Sequence, residues 1–82
     1  MNDQSPENAY VTSDLGCAAA LICVGYKIDS LERVSDTKVL FCFPAGYDIE
    51  ACSVAYWNNE LKILARNYHD SMKMLKSRIY NP

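Results

Sequence analysis

The apolar positions of the chain fall into blocks that repeat with different periods. Between Leu15 and Val24 they are nearly continuous, LGCAAALICV, with Leu15, Ala18, Ala19, Ile22 and Cys23 on one helical face and Leu21 and Val24 filling much of the rest. Thr12 or Ser13 can serve as N-cap, Asp14 sits where the helix dipole favours a carboxylate, and Gly25 supplies a C-terminal stop. A helix that is apolar nearly all round is expected to be sandwiched, its Ala-rich side pressed against a sheet or another helix.

The period then shortens. Tyr26 to Val34 alternates loosely, and TKVLFCF places Val39, Phe41 and Phe43 on one face of a strand and Leu40 and Cys42 on the other. The turn formers SDT at 35–37 join the two into an antiparallel hairpin, and the second strand, apolar on both faces, is expected to be central or well covered. PAGY at 44–47 ends that strand and Asp48 opens a helix in which Ile49, Cys52 and Ala55 or Tyr56 recur at helical spacing; Asn58 and Asn59 should interrupt it. The final block carries Leu61, Leu64, Tyr68, Met72, Leu75 and Ile79, a stripe at intervals of three and four, which can start as a few extended residues, ELKI, before turning helical near Ala65.

These elements predict a small two-layer α+β domain: a helix, an antiparallel hairpin, then two helices, the last one long. AYVT at 9–12 is a candidate short N-terminal edge strand. Residues 1–8, polar and without a period, read as a flexible tail preceding a single globular domain at 9–82.

Composition changes this picture little: 50% of the 82 residues are apolar and 22% charged, an ordinary globular balance. The net charge of −2 is unevenly placed, however. Residues 1–50 hold three basic groups against eight acidic ones, whereas 51–82 hold five (Lys62, Arg66, Lys73, Lys76, Arg78) against Glu60 and Asp70. The opening MNDQSPENAY lacks a basic and apolar secretory pattern, and no apolar run nears the roughly 18 residues a membrane span needs, so a soluble, cytoplasmic protein with no membrane partner is expected.

Chemistry is sparse. Cys17, Cys23, Cys42 and Cys52 form no C-x-x-C pair and the single His69 lies far from them, so no metal site is expected, and in a reducing compartment they read as four mostly buried free thiols. No glycine sits in a phosphate-loop context, the carboxylates fall at cap, turn or strand-exterior positions, and every cysteine occupies an apolar position. Neither catalytic residues nor a cofactor are therefore expected, and the chain reads as a non-enzyme.

Two features invite contact. Lys62, Arg66, His69, Lys73 and Lys76 recur at intervals of 4, 3, 4 and 3, within roughly an 80° sector of one helix. They form either a binding stripe, with Trp57, Asn67 and Tyr68 adding polar and stacking contacts, or the solvated flank of an amphipathic helix. Trp57, ending a helix just before Asn58 and Asn59, reads either as a lid on the core or as an interface anchor.

The order T-x-D-L at 12–15, F-x-F at 41–43, Y-W-N-x-E-L at 56–61, Ala65-Arg66, Tyr68 and L-K-x-x-I at 75–79 resembles a family of small bacterial and phage proteins defined only as a domain of unknown function. The likeness covers about residues 10–80, and this chain departs from the pattern in carrying Asn59 where the family has glycine and in its cysteine-rich core. The resemblance implies no activity, cofactor or catalytic residue. It implies a setting in phage or mobile elements, where a small protein acts on host or phage machinery. The expected role is thus protein–protein interaction through Trp57, Asn58 and the basic flank (Lys62, Arg66, His69, Lys73, Lys76), with a homodimer as one form of contact and nucleic acid as the alternative partner.

Overall fold

The computed structural model describes residues 9–81, and the tail read at 1–8 lies outside them. Six elements follow in order: β1 (Ala9–Thr12), α1 (Leu15–Val24), β2 (Ser30–Arg33), β3 (Val39–Pro44), α2 (Tyr47–Trp57) and α3 (Ala65–Tyr80). The three strands form one antiparallel sheet in the order β1-β3-β2. The expected edge strand at 9–12, the hairpin and the central place of β3 are all present.

The alternation of β3 sorts the sheet into two faces. Phe41 and Phe43 are fully buried on one, where their partners Leu31 and Tyr10 join them; the Tyr10 and Phe43 rings lie 6.5 Å apart and tilted. Leu40, Cys42 and Val11 take the other, and Val11 is exposed. β3 is central, but among the described residues the helical core covers only one of its faces. β2 is shorter than the loose alternation suggested: Tyr26 and Ile28 pack on the core from outside any strand, and pairing begins at Ser30.

α1 is the centre of the helical layer, packed against both α3 and α2. Five consecutive residues, Cys17 to Leu21, have no solvent exposure. That is possible because Cys and Ala side chains are small enough for neighbours to close in on every side. Its cap is one step later than expected. Asp14 is the N-cap, its Oδ2 accepting from the Cys17 N–H at 2.7 Å, while the Thr12 hydroxyl accepts from the Asp14 N–H at 3.1 Å. At the other end Tyr26 N–H donates to Leu21 O and Gly25 N–H to Ile22 O, each at 3.0 Å, with Gly25 at φ 128°. This is the paired closure of a Schellman motif, in which a positive φ is least costly for glycine.

α3 starts at Ala65, after a non-helical stretch at 60–64, so Lys62 and Leu61 lie before the helix and Leu64 is its N-cap, 70% exposed. The apolar stripe is therefore shorter than the spacing implied: Tyr68, Met72, Leu75 and Ile79 face the core, and only Leu75 is fully buried. Arg33 of β2 donates to Ile79 O at 2.9 Å and to Asp36 O at 3.3 Å, tying the hairpin to the carbonyl end of α3, where a cation is favoured.

Candidate interaction surface

α2 begins without a side-chain cap at Gly46, and its first turn carries Asp48 and Glu50. Its inward side buries Ile49 and Ser53 and half-buries Cys52, Ala55 and Tyr56. Its outward side presents Tyr47, Ala51, Val54 and Trp57, spaced so that all project from one side of the helix at about 100° per residue. Tyr47 is 92%, Val54 57% and Trp57 60% exposed. Trp57 is thus no lid on the core. It stacks edge-on against Tyr56, ring centroids 5.1 Å apart at 82°, and leaves most of its surface to solvent.

The Tyr56 ring that Trp57 packs against carries its hydroxyl into a polar knot. The position a Cβ would take on Gly16 lies 2.5 Å from the Tyr56 hydroxyl, 3.1 Å from that of Tyr68 and 3.3 Å from the Asp14 carboxylate, so the first turn of α1, α2 and α3 meet at one glycine. Tyr68 donates to Gly16 O at 3.4 Å. One turn earlier on α2, the buried Ser53 hydroxyl bonds that of Tyr10 on β1 and lies 3.7 Å from the Cys17 sulfur. Sequence reading missed this cluster because its hydrogen-bonded pairs lie 36 to 52 residues apart and each member is unremarkable in its own element.

The electrostatics of the knot are those of a structural contact. Desolvation first, then the neighbouring Tyr68, pushes the Tyr56 hydroxyl up to about 12, and desolvation raises Tyr10 and the Cys52 thiol. All three shifts favour the protonated form, whereas an activated nucleophile needs the opposite. Of the four cysteines only Cys17 is buried; Cys23, Cys42 and Cys52 are half-buried, and all four are free thiols. The expectation of mostly buried cysteines holds for Cys17 alone, because Cys42 faces the uncovered side of β3 and Cys23 sits at the exposed end of α1. Among the described residues no cluster of three or more His, Cys, Asp or Glu side chains can hold a metal ion.

The basic residues separate into two groups. Arg66, His69, Lys73 and Lys76 are exposed along one side of α3, as the spacing predicted, and Tyr80, 75% exposed, continues that line. Lys62 is exposed too, but it precedes the helix and is not on that line. Tyr68 is half-buried and points its hydroxyl at α1, so it is not available to stack on a ligand. Asn58 and Asn59 end α2. Glu60 N–H donates to Ala55 O at 2.8 Å and Asn59 N–H to Tyr56 O at 3.1 Å, the closure seen at the end of α1, with Asn59 at φ 61° in the place glycine holds there.

The architecture is that of a small α+β protein, a three-stranded antiparallel sheet covered on one face by three helices. The chain belongs to the family described as a domain of unknown function, DUF5659, whose model matches residues 7–81. No curated protein and no solved structure matches it. Among the described residues no helix is long and apolar enough to cross a membrane.

Proposed function

We propose that this chain is a non-enzymatic binding protein that engages a protein partner through the outward side of α2, with Trp57 and Asn58 at its end. The observation that carries this reading is the row of Tyr47, Val54 and Trp57, three large side chains exposed on one helix. Burying one such side chain stabilises a contact by about 1.5–3 kcal/mol, and Trp and Tyr are the residues enriched among interface anchors. The Tyr56 contact supports it further, since an anchor already fixed in place loses little freedom on binding. A role as an accessory or inhibitor protein of phage or mobile elements is part of the proposal and rests on the family resemblance. A second copy of the chain is one partner of this kind.

The test is capture from a lysate of the source cell after nuclease treatment, comparing wild type with Trp57→Ala. The expected result is a stoichiometric protein held by the wild type and lost from the variant; equal capture by both sinks the reading. The exposed line of Arg66, His69, Lys73, Lys76 and Tyr80 favours a second reading, contact with a nucleic-acid backbone. It predicts nuclease-sensitive material, affinity that falls steeply with salt, and loss on joint replacement of Arg66, Lys73 and Lys76 by alanine.

A further inference from the structure

At the N-terminal end of α2 an open cleft of about 370 Å³ is lined by Tyr26, Pro44, Ala45, Gly46, Tyr47, Asp48 and Ile49. Its walls come from three parts of the chain: the segment leaving α1, the end of β3, and the first turn of α2. The polar groups that line it are two phenols and one carboxylate, and it contains no basic side chain. The Tyr26 hydroxyl is held above its ordinary value by desolvation and then by the Asp48 charge, so the carboxylate and the phenol share one local environment.

The geometry points to this cleft as a receptor for a cationic side chain, a lysine or arginine presented by the protein partner. Aromatic faces attract a cation through their quadrupole, and the apolar stem of a lysine or arginine suits the Pro44, Ala45 and Ile49 walls. The N-terminal dipole of α2 opposes a cation with the equivalent of about half a positive charge, but Asp48 and Glu50 in the same turn supply two negative ones, so the local field favours it. An anionic occupant meets the Asp48 carboxylate with no basic wall in return. Tyr47 also begins the exposed row on α2, so the cleft and the row form one continuous surface: an acidic, aromatic socket at one end and Trp57 at the other.

This inference names the partner chemistry of the surface proposed above and rests on that reading. It is tested by titrating the isotope-labelled full chain with acetyl-Gly-Lys-Gly-amide and, separately, with the norleucine peptide of the same length, following amide and tyrosine ring resonances. The expected result is saturable shifts centred on Tyr26, Tyr47 and Asp48, with the lysine peptide bound about five-fold more tightly than the neutral one. Tyr47→Ala, at a position too exposed to affect folding, should abolish saturation; Asp48→Asn should weaken lysine binding and remove most of its salt dependence. Tyr80→Ala, an exposed tyrosine elsewhere, should change nothing. Equal response to both peptides, non-saturating shifts, or retained binding in Tyr47→Ala overturns the inference. Trp57-dependent capture of a partner alongside a cleft indifferent to lysine would sink the socket and leave the interface standing, whereas failed capture with selective lysine binding would do the reverse.

Discussion

Helices α1 and α2 are ten and eleven residues long, touch each other across the same core, and both close in a Schellman motif. α1 has no charged residue between Leu15 and Val24, a carboxylate cap, and five successive residues without exposure. α2 has no side-chain cap, two acidic residues in its first turn, and three large apolar side chains turned to solvent. Small side chains let α1 be surrounded; α2 carries tyrosine, valine and tryptophan on a side that nothing among the described residues covers. The proposed contact surface rests on this exposed side of α2. The difference separates the part of the molecule that makes the fold from the part free to make contacts.

The comparison is most easily broken by paired truncations. Leu21→Ala, at a fully buried position of α1, should lower unfolding free energy by about 2–5 kcal/mol, enough to remove much of the stability of a small domain. Val54→Ala, on the outer side of α2, should stay within about 0.5 kcal/mol. Urea midpoints at constant slope measure both, and comparable losses at the two sites would mean that the outer side of α2 is covered.

Gly16 sharpens the contrast, because it is where α1 is pressed hardest by its neighbours. Alanine in a helix is usually worth up to about 1 kcal/mol over glycine. Here the added Cβ meets the Tyr56 hydroxyl at 2.5 Å, and forcing that ring aside should produce a net loss of about 1–2 kcal/mol. In a Tyr56→Phe background, which removes the obstructing oxygen, the same substitution should cost far less. A double-mutant cycle on thermal or urea unfolding reads this directly, and additive effects would show that the two sites do not press on one another.

The same knot predicts a response to alkali. The unfolded chain releases the Tyr56 proton near its ordinary value of 10.0, while desolvation and the Tyr68 neighbour hold it in the folded state up to about 12. Between those values the unfolded state binds fewer protons, so stability, fully present below pH 10, falls as pH rises toward 12. Tyr10 and Tyr26 are raised as well and act in the same direction. Tyr56→Phe should flatten the decline measured by urea midpoints across that window; an unchanged slope would place the Tyr56 hydroxyl in water.

Most of the fold was legible because it is written in local periods: the continuous block of α1, the alternation of β3 and the spacing of Tyr68, Met72, Leu75 and Ile79 each point to one element. What period cannot supply is where an element stops and what its second face meets. Leu61, Leu64 and Lys62 keep helical spacing with α3, yet the chain is not helical there: the extended start and the helical onset near Ala65 were expected, but the basic stripe placed Lys62 on a helix that it precedes. Trp57 had two readings from sequence, and the structure leaves it exposed because the inward side of α2 is already filled by Ile49, Ser53 and Tyr56. The meeting of Asp14, Gly16, Tyr56 and Tyr68 was invisible because it depends on how three helices cross.

The smallest expected effect bears on the two helix ends. Gly25 and Asn59 occupy equivalent places in the closures of α1 and α2, at φ 128° and φ 61°. Asn is the side-chain-bearing residue that tolerates the left-handed region best, so Asn59→Gly should change stability by no more than about 0.5 kcal/mol, relief of residual strain being offset by greater freedom in the unfolded chain. Asn59→Ala, which must carry a Cβ into that region without a polar side chain to bond locally, should cost about 1 kcal/mol. If alanine proves as well tolerated as glycine, the turn after Trp57 is not held in the left-handed region. Trp57 then loses its fixed exit from α2, and with it the preorganisation on which its proposed anchoring role relies.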